Sequence, residues 1–419
     1  MDNKKRIFSI SMAVFLMMML VVAIVAGCAK PAPAPTPTPP PAPPPAPEVK
    51  HIKIGTIMPH TGPLSILGLA FTRGWGFYAD KLQEQGGIKI GDDRYVFDFI
   101  NEDSKLSPEA AGIAATKLVT QDKVKYVIGA ILESEVEAIY QITAPAKVLY
   151  VMGNINIPGH PADVGPDKPL LVRLVIDHDD THAADLDYLV KTYPAAKNIA
   201  IVAPNIGYEG MIENLQGQAA GRGLNVSLVE KWEWGTTDFI PTYTRVLAFK
   251  PDAIFAMVSG QAQYQLMAAR QLGFKGPFIS NSPLGADVFV NVVGDPAALT
   301  DVICNSPDIY HPTDAVKDLL LKWEQKYGAE PFVSDCIHPY DMPWILAQGM
   351  EEAQSIDPER VMATLETMTA PGSLMTNFGP GRMGGMKKHG VNRVLSRPIP
   401  ITRIMNGKTE FIGLIPPVE

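Results

Sequence analysis

Residues 129–138 read GAILESEVEA, and they set the first chemical problem. A glycine and three apolar residues look like the end of a buried strand. A small hydroxyl, Ser134, follows at the turn into a helix. Such hydroxyls hold the negative end of a ligand, because helix N-termini favour negative charge. Here, however, a glutamate stands on each side, Glu133 and Glu135. If Glu133 faces a binding cleft, it repels a carboxylate and attracts an ammonium, or accepts from a hydroxyl or amide. If it points outward, Ser134 and backbone N–H groups are left to grip a carboxylate. Glu135 and Glu137 are expected beyond the turn, as exposed or first-turn acids.

Other reactive patterns are weaker. HDDTH, His178 to His182, places two histidines four apart, a spacing that on a helix could share a metal. Its aspartates equally suit a helix N-terminus, and we expect the helix start and no metal. Gly74-Trp75-Gly76 with Ala79 imitates a dinucleotide fingerprint but lies inside a helical pattern, not after a strand. No G-x-S-x-G or P-loop occurs, and no nucleophile has a base indicated nearby. No cofactor and no catalytic residue is expected, so the chain reads as a non-enzyme. Cys304 and Cys336 leave two readings open, a disulfide or two buried thiols.

The elements that must position these residues alternate. HIKIGTIM, YVFDFINED, VKYVIGA and VLYVMG read as strands with helical patterns between them. Ser107-Pro108-Glu109 opens one helix with an N-cap, a proline at the first position and an early acid. Gly86-Gly87 closes the helix before it. KNIAIVAP, VSLVEKWEW, DAIFAMV and FISN repeat the rhythm in the second half. Strands separated by helices of this length predict an α/β fold of two similar Rossmann-like lobes with parallel sheets. Ligands in such folds bind at the carboxyl ends of the strands, which between two lobes means a cleft. Trp232 and Trp234 fall on one face of a strand and read as packing.

The N-terminus is not part of that body. Lys4, Lys5 and Arg6 precede an apolar run from Ile7 to Ala26, which ends in Ala26-Gly27 directly before Cys28. Residues 1–27 read as a secretory signal, and Val25-Ala26-Gly27-Cys28 resembles the lipobox of bacterial lipoproteins, which implies a lipid on Cys28. Residues 28–50 then form a proline-rich tether. At about 3.1 Å per residue in polyproline II, Ala29–Pro47 could reach roughly 60 Å. The net charge of the whole chain is −8, and losing residues 1–27 removes Asp2, Lys4, Lys5 and Arg6, which makes it −10. No basic run survives, so no nucleic-acid partner is expected.

IKIGTIMPHTGPLSILG, EQGGI, the run from YVFDFINED to VKYVIG, KNIAIVAPNIGYEGM, ARQLGFKGPFIS and HPYDMPWILAQGMEEA occur in an order that resembles the type I periplasmic binding proteins. The most similar branch is the branched-chain amino-acid-binding, or extracellular ligand-binding receptor, branch. The resemblance covers nearly all of residues 52–405. It implies a three-segment hinge, with lobe 1 at 51–172 plus 305–397 and lobe 2 at 173–304 plus 398–419. It also implies clamshell closure on a small solute and an ABC permease as partner, for a monomeric extracytoplasmic receptor. The same fold would serve a sensor without transport, and an exported α/β enzyme is the remaining alternative. Residue by residue, only Ser134 matches the family's usual serine pair, with Glu133 in place of its neighbour. Asn154 and Asn156 stand where a Ser-Ala-Thr is usual, and Tyr208 matches the closing tyrosine. Ser259 lies in a turn lacking the second aromatic, Asn281 and Ser282 replace a usual acid, and His60 lies near the cleft mouth.

Overall fold

The computed structural model describes residues 49–416 apart from 63, 154–161, 206–207, 234, 258–260, 282–288, 291–292, 306–312, 329, 331 and 333–336. Cys28, the signal and nearly all of the tether therefore lie outside the described residues. Among the described residues no helix is long and apolar enough to cross a membrane.

The strands are β1 (Val49–Met58), β2 (Ile88–Ile90), β3 (Asp93–Asp103), β4 (Tyr126–Gly129), β5 (Leu149–Met152), β6 (Leu171–Arg173), β7 (Asn198–Pro204) and β8 (Asn225–Trp232). They continue as β9 (Ala253–Met257), β10 (Phe278–Asn281), β11 (Val302–Cys304), β12 (Leu374–Thr376), β13 (Gly379–Gly384), β14 (Val394–Ser396), β15 (Ile399–Met405) and β16 (Lys408–Ile415). The helices are α1 (Ser65–Glu84), α2 (Pro108–Thr120), α3 (Glu133–Thr143), α4 (His178–Thr192), α5 (Glu209–Gly221) and α6 (Ile240–Ala248). After them come α7 (Ala262–Gln271), α8 (Asp314–Tyr327), α9 (Ile337–Ala353), α10 (Pro358–Thr367) and the single turn α11 (Met386–His389).

Local chemistry sets several boundaries. The Ser107 hydroxyl accepts from the Ala110 N–H at 3.4 Å, and Pro108 takes the first position of α2, where its missing N–H costs nothing. Gly86 and Gly87 follow α1 with φ of 72° and 82°, values that a residue with a Cβ adopts only under strain.

The strands form two mostly parallel sheets, one per lobe. The first has the order β12-β13-β14-β6-β5-β4-β1-β3-β2, the second β16-β15-β11-β10-β9-β7-β8. Both are covered on two faces, which is why β4, β5 and β9 are apolar and buried throughout. In the first, Trp75 and Phe77 of α1 and Leu346 of α9 cover one face, and Ala111, Leu118 and Ile139 of α2 and α3 the other. In the second, Leu186 and Leu215 of α4 and α5 oppose Tyr243 and Leu266 of α6 and α7. Trp232 packs edge to face on Phe239, with ring centroids 5.4 Å apart, as expected of a packing residue; Trp234 lies outside the described residues. Cys304 is buried at the end of β11, and Cys336 lies outside the described residues.

The chain passes between the sheets three times, after β6, β11 and β14. In each sheet the strand order reverses around one strand, β1 between β3 and β4, and β7 between β8 and β9. At such a switch point the loops leave in opposite directions and open a crevice beyond the carboxyl ends of the strands.

Candidate ligand cleft

In lobe 1 the crevice is bounded by the loops after β1 and β4. The loop after β1 is pinned by Asp103, at the end of β3. Its carboxylate accepts from the His60 N–H at 2.9 Å, the Thr61 hydroxyl at 2.7 Å and the Lys105 N–H at 2.9 Å. The His60 ring lies 2.9 Å from the Thr72 hydroxyl, which itself donates to the Gly68 carbonyl at 2.9 Å. A hydroxyl that has given its only proton accepts, so His60 Nε2 is the donor. Burial lowers the His60 pKa although Asp103 pulls the other way, which favours the neutral ring. His60 thus stands at the crevice with this nitrogen committed to α1.

The second bounding loop starts at Gly129, with φ of 145°, and continues through Ala130, with φ of 69°. The Ala130 N–H donates to the Ile57 carbonyl at 2.9 Å, which binds the turn to β1. The helix that follows begins without a hydroxyl cap, because the N-cap residue is Leu132. Glu135 supplies what is missing. Its Oε2 accepts from the Ile131 N–H at 3.2 Å and the Leu132 N–H at 3.0 Å, and its side chain is fully buried. Of the two expectations for Glu135, exposed or a first-turn acid, the second holds: a glutamate at the third helical position reaches back to orphan donors, one half of a capping box. Glu137 is exposed, as expected. Ser134 is exposed at the second position of α3, two residues too late to act as its N-cap. Glu133 is half-buried and has no hydrogen-bond or ion-pair partner among the described residues.

In lobe 2, the Asn205 N–H donates to the Trp232 carbonyl at 2.8 Å and so holds the chain leaving β7. Tyr208 precedes α5 and packs partly buried against the lobe core. Burial raises its pKa, and the negative charge of Glu133 raises it further. Glu133, in the turn after β4, and Tyr208, in the turn after β7, thus lie within electrostatic reach of each other. Asn154, Asn156, Ser259 and Ser282 lie outside the described residues, as does the side chain of Asn281 at the end of β10. Of the candidate residues whose side chains are described, Glu133 and Tyr208 lie within electrostatic reach of each other, His60 lies in the loop after β1, and Ser134 is at the surface of the turn after β4.

His182 is fully buried, with Nδ1 3.3 Å from the Asn214 side-chain oxygen, and among the described residues no group of three ligands is placed to hold a metal. A shallow cavity of about 380 Å³ lined by Leu247, Lys250, Asp252, Phe274 and Lys275 lies before β9 and β10, at the opposite end of the strands from the crevice.

A second polar assembly, absent from the sequence expectations, lies where the chain first crosses between lobes. Arg173 is fully buried at the end of β6. It pairs with Asp177, with Asp163 at 3.2 Å and with His389 at 3.3 Å. Lys388 reaches Asp179 at 2.9 Å, Asp180 at 3.0 Å and Asp177 at 3.3 Å. β6 supplies Arg173, α11 supplies Lys388 and His389, and the start of α4 supplies the three carboxylates 177, 179 and 180. Burial works against ionising Asp177, yet Arg173 and His389 hold its carboxyl well below the usual range. The one sequence signal was a lone arginine inside the apolar run LLVRLVI.

Asp180 behaves in the opposite way. Burial pushes its carboxyl up to about 6, with Asp177 and Asp179 adding to the rise and Lys388 opposing it. A folded pKa above the unfolded value means that the folded state holds the extra proton. This contribution to stability is full below the unfolded value of 3.8 and is lost as pH rises through about 6. Asp180→Asn should therefore gain on wild type by roughly 1–3 kcal/mol between about pH 4 and about pH 8. Denaturant unfolding at the two pH values measures this, and parallel losses in both proteins would refute it.

Two doubly wound sheets with three crossings between them, each with a switch-point crevice, are the architecture of a two-lobed solute-binding protein. A sequence profile described as periplasmic binding protein matches residues 51–408, and the chain belongs to that family. It is a solute-binding protein and not an enzyme. The chain is 22% identical over 322 residues to the leucine-, isoleucine-, valine-, threonine- and alanine-binding protein of Pseudomonas aeruginosa, covering 76% of this chain and 83% of that one. Among solved structures it is similar to a leucine-binding protein of Thermotoga maritima (TM-score 0.67, 21% identity, 87% of this chain and 99% of that one). It is also similar to a solute-binding protein of R. palustris in complex with 4-hydroxybenzoate (TM-score 0.69, 18% identity, 88% of this chain and 98% of that one).

Proposed function

We propose that this chain is the extracytoplasmic receptor of an ABC importer, tethered through a lipid on Cys28. It captures a small polar or amphipathic organic solute by closing lobe 1, residues 51–172 plus 305–397, on lobe 2, residues 173–304 plus 398–419. What supports this reading most is a switch-point crevice in each of two doubly wound sheets that the chain crosses between three times. A ligand that touches both lobes binds the closed form better and shifts the population toward it. Relatives named for branched-chain amino acids and for 4-hydroxybenzoate set the size of solute to look for. The signal-like residues 1–27 and the proline-rich residues 28–50 support export and tethering.

Mass spectrometry of compounds released by denaturing the purified protein should find one solute, returned intact. Adding it to stripped protein should shrink the radius of gyration in small-angle scattering. No release, and no binding of any component of a host-cell extract, would overturn the receptor reading. In cells fed a fatty-acid analogue, Cys28→Ser should abolish labelling; undiminished label would refute the lipid tether alone.

A further inference from the structure

The charged assembly at the first crossing divides between the two sheets. Its cations belong to the nine-stranded sheet: Arg173 ends β6, and Lys388 and His389 lie in α11, the single turn between β13 and β14. α11 is fixed there by the buried His389 and by Val391 and Val394, which pack in the core of that sheet. Of the carboxylates, Asp163 lies between β5 and β6, whereas Asp177, Asp179 and Asp180 come from the start of α4. α4 packs on the other sheet through Leu186 and Leu189, and its Asp185 accepts from the Asn305 side chain at 2.6 Å, just past β11. Arg173 and Asp177 are four residues apart, so their pair sits at the pivot and survives a rotation there. Lys388 is different, since it lies 208 residues from Asp180. It reaches Asp179 at 2.9 Å and Asp180 at 3.0 Å, carboxylates in residues only 8% and 5% exposed. These two contacts join helices that belong to different sheets, and a rotation of one sheet against the other would break them.

We propose that Lys388 is a latch on the hinge: its ammonium, held by Asp179 and Asp180, keeps the two sheets in the arrangement seen here. Losing it removes two charge-assisted contacts. It also leaves Asp179 and Asp180 beside Asp177 with no ammonium among them, and like charges then push the start of α4 toward water. Both effects favour arrangements in which α4 has swung away from α11, and the population follows the free energy that separates the states. The proposal rests on the receptor reading, which makes the three crossings a hinge. It adds a residue of α11, outside the loops that bound the crevices, that sets where the empty receptor rests.

The test uses the purified full chain, stripped of any solute, with spin labels on ketone-bearing amino acids in place of Ile113 of α2 and Glu213 of α5. Both positions are exposed, one on each sheet's layer of helices. Pulsed electron paramagnetic resonance then reads the distance between the two layers. Lys388→Met should at least double the population outside the main wild-type peak. Asp179→Asn with Asp180→Asn breaks the latch from its other side and should shift the distribution in the same direction. Lys388→Arg keeps the cation and should restore the wild-type distribution. Lys387→Met removes the same charge from the exposed neighbour and should change nothing. Distributions equal to wild type in both Lys388→Met and the double Asn variant overturn the latch. So does an equal change in Lys387→Met, which would make the effect one of net charge. If Lys388→Met does not fold, the double Asn variant decides alone. No solute enters the measurement, so these results leave the receptor reading to the release experiment.

Discussion

Arg173→Met is expected to lower the unfolding free energy by about 3–5 kcal/mol, the range for removing one partner from a buried ion pair. The cause is not the lost attraction alone. Asp163 and Asp177 would remain 1% and 2% exposed, with the His389 ring 3.4 and 3.3 Å away and Lys388 3.3 Å from Asp177 alone. Asp163 in particular would keep its buried carboxylate without a guanidinium beside it and carry the desolvation cost. Urea unfolding read by fluorescence measures the change as a lower midpoint at an unchanged slope. Adding Asp177→Leu should restore part of the loss, because it removes one stranded charge. A loss under about 1 kcal/mol in Arg173→Met would show that the cluster is hydrated in solution and contributes little. Lys388 is the contrasting case. Its side chain is 28% exposed, so screening reduces its share, and Lys388→Met should cost less than Arg173→Met.

Gly129→Ala should damage both the fold and the site. A Cβ on Gly129 would lie 2.1 Å from the Ile57 carbonyl oxygen, and φ of 145° is strained for any residue with a side chain. The obstacle is backbone in a central strand, which cannot swing aside as a flexible side chain does. The turn carrying Ile131 to Glu133 would have to move away from β1, breaking the Ala130 bond to Ile57. We expect a stability loss of about 2–4 kcal/mol. Solute affinity should fall by about tenfold or more, since the turn that bounds the crevice after β4 would be displaced. Gly217→Ala is the control. It lies inside α5 with nothing within 4 Å of a new Cβ, and should stabilise by up to about 1 kcal/mol without touching binding. Equal effects at the two sites would defeat the argument.

What the sequence by itself determined is whatever depends on neighbours within a turn or a strand. Ser107-Pro108 starts a helix through its own hydroxyl and its own missing N–H, and Gly86-Gly87 ends one through backbone freedom. The alternation of apolar strands with helical patterns required parallel sheets covered on both faces, and hence crevices at the strand ends. Glu133 could be nominated from its place at the turn after a strand, and Tyr208 only through its match to the closing tyrosine of the family that the chain resembles. Glu135 was within reach of a local rule, since its bonds span three and four residues, but the rule looks for Ser, Thr, Asp or Asn at the N-cap and Leu132 hides the motif. What only the tertiary structure decided is which distant groups share a low-dielectric space. Arg173 meets His389 across 216 residues of chain, and Glu133 acts on Tyr208 from another lobe. The run LLVRLVI announces a buried charge without naming its partner. Sequence spacing has no bearing on pairs that far apart: the order of strands in two sheets sets their distance, and burial sets how strongly the charges act on each other.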